Sequence, residues 1–80
     1  MAAPNINYDR NRPMILYRYL TGVDDNAFCH RVTAALNKGW QLAGPATLAY
    51  DADKKRVICG QPILKEVDGE YTPETKLGDY

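Results

Sequence analysis

The sequence has no surplus of charge of either sign and no long hydrophobic run. Ten lysines and arginines balance ten aspartates and glutamates among 80 residues, so no overall charge attracts the chain to nucleic acid or to anionic lipid. The longest apolar run, Met14 to Tyr17, is far shorter than the ~18 residues of a membrane-spanning helix. We therefore expect no membrane partner.

Histidine and cysteine are also scarce. One histidine, His30, and two cysteines, Cys29 and Cys59, are too few to ligate zinc within one chain. We expect both thiols to be reduced and buried. The first residues lack the basic start and apolar centre of a secretory signal. These observations predict a cytoplasmic protein without a metal or a cofactor.

The length is that of one domain between two polar tails. Residues 1–12 and 68–80 have no periodic apolar pattern, and the second of these segments carries a net charge of −3. We interpret 1–12 as a flexible N-terminal tail, 13–67 as a single α+β domain and 68–80 as a flexible acidic C-terminal tail.

The domain begins with a predicted β-strand that is apolar on both faces. A strand with one solvated face carries polar residues at every second position. Here one alternating set contains Ile15, Tyr17 and Tyr19, and the other contains Met14, Leu16, Arg18 and Leu20. Both faces of this strand therefore require cover.

An amphipathic helix follows, with a start signal and a stop signal. Asp24 is a candidate N-cap, and Gly39 is a candidate for the left-handed residue that ends a helix. Trp40 then takes the next position, from which its ring can fold back onto Ala35. An apolar stripe recurs at helical spacing and predicts one buried face; it contains Phe28, Cys29, Val32, Ala35 and Leu36.

Two further strands complete the predicted domain. Residues 41–50 form a strand that Gly44-Pro45 interrupts, and Arg56 to Val67 form another, in which Pro62 favours a local bulge. The turn Asp51 to Lys54 joins them. We predict an α+β fold of order β-α-β-β, with one helix on one face of a three-stranded sheet and strand order 1-3-2.

One helix covers only one face of such a sheet. A core of this size is marginally stable alone, and the first strand has apolar side chains on its second face as well. A self-complementary contact buries such a face economically. The sequence therefore predicts a homo-oligomer, a dimer or a tetramer, that forms through the sheet face.

Four features between residues 14 and 67 occur in a recognisable combination. They are the strand Tyr17-Arg18-Tyr19-Leu20-Thr21, the amphipathic helix, its exit Gly39-Trp40-Gln41 followed by Gly44, and the late strand Gln61-Pro62-Ile63-Leu64-Lys65. In these features the chain resembles the bacterial and phage family of domains of unknown function 1737. The resemblance implies a small strand-helix-strand-strand domain without an established activity, and it supplies no catalytic residues. Pro62 departs from the small or apolar residue expected there.

The sequence favours a non-enzymatic function. It contains no phosphate-binding loop, and the neighbours Cys29 and His30 point about 100° apart on a helix, which keeps them from acting as a catalytic pair. We therefore favour a small homo-oligomeric accessory or interaction module, which leaves room for an unidentified protein partner.

Single-stranded nucleic acid is an alternative partner. Tyr17 and Tyr19 could stack on bases, since stacking on aromatic side chains is a common mode of single-strand recognition. The candidate phosphate contacts are Arg18, Lys54, Lys55 and Arg56. A second alternative is small-molecule binding or catalysis at a subunit interface, where Tyr17, Tyr19 and Trp40 would form an aromatic lining.

Overall fold

The computed structural model describes residues 14–80, so the predicted tail 1–12 lies outside the described residues. The elements are β1 (Met14–Val23), α1 (Asn26–Asn37), β2 (Gln41–Leu42), β3 (Thr47–Asp51), β4 (Arg56–Val67) and a short 3₁₀ helix, Leu77–Asp79. The predicted α+β class is confirmed, and the last strand has the bounds that the sequence indicated.

The sheet is built around β4, the last strand in the chain. β1 pairs antiparallel with one side of β4, and β2 and β3 pair antiparallel with the other side. The strand count and order differ in detail from the prediction of three strands in the order 1-3-2. There are four strands in the order β1-β4-β2, with β3 also on β4, because Gly44-Pro45 divides the predicted second strand.

Pro62 is tolerated in this central strand because its missing N–H falls at the gap between β2 and β3. Residues 43–46 in the gap face only 61–62 on β4, since β2 ends opposite Ile63 and β3 begins opposite Gly60. The predicted bulge at Pro62 is therefore wrong in its position. The extra residues are 43–46, between β2 and β3, and not in β4 itself. β4 pairs with β1 without interruption.

The side chain of Gln61 bridges this gap. Its amide nitrogen donates to the main-chain oxygens of Gly44 and Pro62, both at 3.0 Å. The N–H of Ala43 also donates to the Pro62 oxygen, at 2.9 Å. Gln61 is buried, and these bonds replace ladder hydrogen bonds that the divided edge does not supply.

The end of α1 follows the predicted geometry. Gly39 has φ +100, and its N–H donates to the oxygen of Leu36 at 3.1 Å. The N–H of Trp40 donates to the oxygen of Ala35, also at 3.1 Å. These two bonds form a Schellman motif, which places Trp40 back over the helix.

The start of α1 differs from the prediction by one residue. The N-cap is Asp25 rather than Asp24, and its carboxylate accepts a hydrogen bond from the N–H of Phe28 at 3.2 Å. Consecutive aspartates offer the same capping group, so the sequence pattern does not distinguish them. The backbone path out of β1 decides which one caps.

The core lies between α1 and the sheet. Its buried cluster contains Leu16, Leu20, Ala35, Trp40 and Ile63, and Phe28 and Val32 pack against it from the helix. Two members of the predicted stripe are exposed, Cys29 and Leu36. The predicted burial of Cys29 is wrong because α1 contacts the cluster through Phe28, Val32 and Ala35. Cys29 lies one residue, about 100°, around the helix from Phe28.

Residues near the C-terminal end of the sequence also contact this core. Leu77 and Tyr80 pack against the buried cluster, and the indole N–H of Trp40 donates to the main-chain oxygen of Tyr80 at 3.2 Å. The prediction of an acidic tail at 68–80 did not include this contact. Part of that segment covers Trp40.

Candidate interaction surface

The face of the sheet opposite α1, which we term the open face, carries a line of apolar residues. Residues directly opposite one another in an antiparallel ladder project to the same face. Tyr17 lies opposite Leu64, and Tyr19 lies opposite Pro62. Ile15, two residues before Tyr17 on β1, projects to the same face.

Four of these side chains are substantially exposed. The exposed fractions are 65% for Ile15, 53% for Tyr17, 46% for Tyr19 and 39% for Leu64. We term these four residues the apolar patch. Single exposed apolar side chains are common on folded proteins, whereas larger contiguous apolar patches are typical of interaction surfaces.

Tyr19 is held in a fixed position within the patch. A Cβ on Gly60 would lie 2.6 Å from Cζ of Tyr19, so the absence of a side chain at Gly60 allows the ring to lie across β4. The Tyr19 hydroxyl also forms a hydrogen bond with the hydroxyl of Thr47 on β3. These contacts order the ring before any partner binds, which reduces the entropy cost of association.

Charged residues on the open face lie at its two ends. Glu66 is opposite Ile15, and Arg56 is opposite Asp51 at the hairpin end. The described positions between these ends, on both β1 and β4, are uncharged on this face. A partner can therefore contact the middle of the face without desolvating a charge.

The structure does not bring together the three aromatic residues predicted to line a ligand site. Tyr17 and Tyr19 lie on the open face, whereas Trp40 is 2% exposed and belongs to the core on the helix side. The sheet separates them. A common lining of Tyr17, Tyr19 and Trp40 within one protomer is therefore excluded by the topology.

The predicted nucleic-acid contacts are also separated. Arg18 lies opposite the fully buried Ile63 and so projects to the helix side, away from Tyr17 and Tyr19. Arg56 is seven residues from Ile63 along β4, about 23 Å at roughly 3.3 Å per residue. Arg18 does not join the basic hairpin residues in one surface.

Lys54 and Lys55 belong to the turn between β3 and β4. Asp51 organises this turn, because its carboxylate accepts hydrogen bonds from the N–H groups of Asp53 at 3.0 Å and Lys54 at 3.2 Å. Lys55 adopts φ 56. The two aspartates and the basic residues therefore fit a solvated hairpin end.

Two members of the apolar patch, Ile15 and Leu64, are not among the site residues that the sequence predicts. Ile15 was visible in the alternation of the first strand, but Leu64 required the register that places it opposite Tyr17. A second exposed group, Leu48, Tyr50 and Val57, lies on the helix side of the β3–β4 hairpin. We term it the hairpin patch.

The two thiols differ in their environments. Cys59 is buried, and its thiol lies 3.5 Å from the main-chain oxygen of Gly22, to which it donates. Burial raises the pKa of the Cys59 thiol, and the negative charge of Asp24 adds to this effect. Cys29 is exposed, and both thiols are free.

Alkylation is expected to distinguish these thiols. With iodoacetamide at neutral pH, Cys29 reacts directly, whereas Cys59 reacts at least about 100-fold more slowly because it must first become exposed by local opening. Mass spectrometry of digested samples taken over time measures both rates. In urea sufficient to unfold the chain the two rates should converge. Equal rates in the native protein would contradict the buried position of Cys59.

The described residues contain neither a candidate metal cluster nor a helix suited to cross a membrane. From Met14 to Tyr80, no group of three or more histidine, cysteine, aspartate or glutamate side chains is arranged to hold a metal ion. Over the same residues, no helix has the length and apolar character needed to cross a membrane.

Comparisons with known proteins identify a family and no individual relative. Neither the curated proteins nor the solved structures gave a match. The family described as Domain of unknown function (DUF1737) matches residues 14–66, a range that contains the helix and nearly the whole sheet. Because this match covers about two thirds of the 80 residues, the chain belongs to the DUF1737 family.

Proposed function

We propose that this domain is a non-enzymatic, self-associating interaction module, in which the open face of one copy packs against the open face of a second copy. The apolar patch carries this proposal. The helix α1 covers only the opposite face of the sheet. It therefore leaves four apolar side chains exposed on the open face: Ile15, Tyr17, Tyr19 and Leu64.

The dimensions of the open face suit such a contact. β1 and β4 pair over ten residue positions, so the face measures roughly 33 Å by 14 Å, or about 450 Å² as a flat footprint. Two corrugated faces in contact bury about 1,000 Å² or somewhat more in total, which is the lower end of specific interfaces. A weak dimer of micromolar affinity is therefore the expected species.

The distribution of charge favours a second copy as the occupant. In a two-fold arrangement with antiparallel strands, the Glu66 end of one face meets the Arg56 end of the other. The centre of each face, around Tyr19 and Pro62, then lies against the centre of the other, and Tyr17 and Leu64 lie against the uncharged positions Val23 and Ile58 of the second copy. Because the charged residues Glu66, Asp51 and Arg56 lie at the ends, this arrangement places no charged side chain in the middle of the contact.

The cytoplasm of a bacterial cell is the proposed location. The family resemblance implies a bacterial or phage source, and free thiols such as Cys29 and Cys59 are typical of reducing compartments.

Sedimentation equilibrium tests the proposal. At about 50 µM, near or above the expected micromolar dissociation constant, the wild-type chain should have close to twice the 9.0 kDa mass of one copy. Tyr17→Glu should return the mass to that of one copy, because a two-fold contact would place two carboxylates in an apolar interface. Far-UV circular dichroism checks that the variant is folded.

Tyr50→Glu provides a matched control. Tyr50 is 65% exposed and belongs to the hairpin patch rather than to the open face, so the same substitution there should leave the dimer intact. A wild-type chain that sediments as a single copy would refute the proposal. So would a dimer that Tyr50→Glu dissociates and Tyr17→Glu does not.

A further inference from the structure

A cavity of about 180 Å³ lies on the helix side of the sheet, away from the open face. Three elements far apart in the sequence meet around it: β1, the second half of α1 and the segment around Gly78. Three of its lining residues are basic, Arg18, Arg31 and Lys38. Ten basic and ten acidic residues are present in the chain, so three cations at one cavity is a marked local concentration of positive charge.

The two arginines have defined positions. The guanidinium carbon of Arg18 lies 5.7 Å from the centre of the Trp40 ring, which holds Arg18 through a cation–π contact. An amino group of Arg31 donates to the main-chain oxygen of Thr21 at 2.7 Å. This bond uses one of the five N–H donors of Arg31. Within Met14 to Tyr80, these contacts position both guanidinium groups and leave N–H donors for a ligand.

The described main-chain oxygens near the cavity are already hydrogen-bonded, and the side chains that line it include no described carboxylate. Among the described residues that line it, none is an aspartate or a glutamate. The oxygens of Ala35 and Leu36 at the C-terminal end of α1 accept hydrogen bonds from the N–H groups of Trp40 and Gly39. The main-chain oxygen of Tyr80 accepts from the Trp40 indole. Asp79 is adjacent in sequence to the lining residue Tyr80 but is not itself part of the lining.

The volume limits the ligand to a small group. At roughly 30 Å³ per water molecule, the cavity has the room of about six waters, which suits a phosphate group with a few further atoms. Trp40 is 2% exposed, so its ring face is not free to stack on a nucleobase.

We infer that this cavity binds a phosphate group, either free or as a small phosphomonoester, through Arg18, Arg31 and Lys38. Phosphate fits better than a carboxylate because it is close to a dianion near neutral pH and offers more oxygens to three cationic donors. Arginine forks match the oxygens of phosphate in a bidentate manner. The site is separate from the open face, so its occupation does not depend on self-association.

Nuclear magnetic resonance titration with inorganic phosphate tests this inference. Trp40 is the single tryptophan, so its indole N–H gives one resolved signal next to the cavity. We expect saturable shifts of this signal, with a dissociation constant of about 1 mM or lower. Sodium chloride at matched ionic strength should produce no saturable shift. Acetate should bind more weakly than phosphate, and a parallel titration with glycerol phosphate distinguishes an esterified from a free phosphate.

Substitutions assign the binding to the cavity. Lys38→Gln and Arg31→Gln should each weaken phosphate binding about tenfold, since each removes one charge-assisted contact. Lys54→Gln makes the same change in charge at the hairpin and should have no effect. Lys38 and Lys54 are both exposed, so these two variants are expected to fold. Indistinguishable phosphate and chloride titrations would overturn the inference, as would tighter binding of acetate or equal losses in Lys38→Gln and Lys54→Gln.

Discussion

Replacing Trp40 with alanine is expected to remove about 3–5 kcal/mol from the free energy of unfolding. The Trp40 side chain is 2% exposed and lies in the buried cluster with Leu16, Leu20 and Ile63. A chain of this size has about 4–12 kcal/mol of stability in total. Trp40→Ala should therefore leave a protein that is largely unfolded at 37 °C or that unfolds in very little urea.

Urea unfolding followed by circular dichroism at 222 nm measures this effect, because the substitution also removes the tryptophan fluorescence. Trp40→Phe is the control. Phenylalanine retains an aromatic ring in the core but loses the indole N–H that donates to the main-chain oxygen of Tyr80, so we expect a smaller loss of about 1–2 kcal/mol. A loss below about 1 kcal/mol in Trp40→Ala would show that Trp40 is not a central core residue.

The second large effect is expected at Ile63. Its side chain is fully buried at the middle of β4, opposite Arg18 on one side and Leu42 on the other. Truncation to alanine leaves a cavity that neighbouring strands cannot fill, because both are fixed in register. Ile63→Ala should lower the free energy of unfolding by about 2–5 kcal/mol.

Two further substitutions calibrate the measurement at Ile63. Ile63→Val removes one methyl group and should cost about 0.5–1.5 kcal/mol. Leu48→Ala removes three carbon atoms, as Ile63→Ala does, but Leu48 is 68% exposed on the hairpin and the expected change is within about 0.5 kcal/mol. Similar losses in Ile63→Ala and Leu48→Ala would contradict the assignment of the core.

Local signals in the sequence predicted the helix end more accurately than any other feature. Gly39 with φ +100 and Trp40 at the next position form the motif that their order indicated. This motif depends on four or five consecutive residues, and no distant part of the chain competes with it. The bounds of β4, Arg56–Val67, are likewise those that the residue pattern within this segment predicts.

Features that depend on the packing of elements were predicted less well. The exposure of Cys29 follows from the angle at which α1 lies on the sheet, which the spacing of apolar residues alone does not give. Contacts of Leu77 and Tyr80 with the core come from a short turn without periodicity. The division of the second strand was signalled by Gly44-Pro45, but its extent depends on the bonds that Gln61 makes.

The apolar patch and the cavity also differ in how far they can be predicted without knowing how the elements pack. Three of the four residues of the apolar patch are visible in the sequence, because Ile15, Tyr17 and Tyr19 alternate along one strand. The cavity was not visible, since Arg18, Arg31 and Lys38 come from β1 and α1 and meet only once the helix is packed. The sequence alone predicts that Arg18 lies with the hairpin lysines, from which the register separates it.

The position of β4 has a consequence for how the domain folds. β1, β2 and β3 each pair with β4, and β4 begins only at Arg56. A nascent polypeptide that has emerged as far as Asp53 therefore contains three strand segments and no partner for any of them. The β3–β4 hairpin can then form locally, whereas the outermost pair of the β1–β4 ladder joins Met14 to Val67, so closing the sheet spans nearly the full length of the domain and comes late in folding.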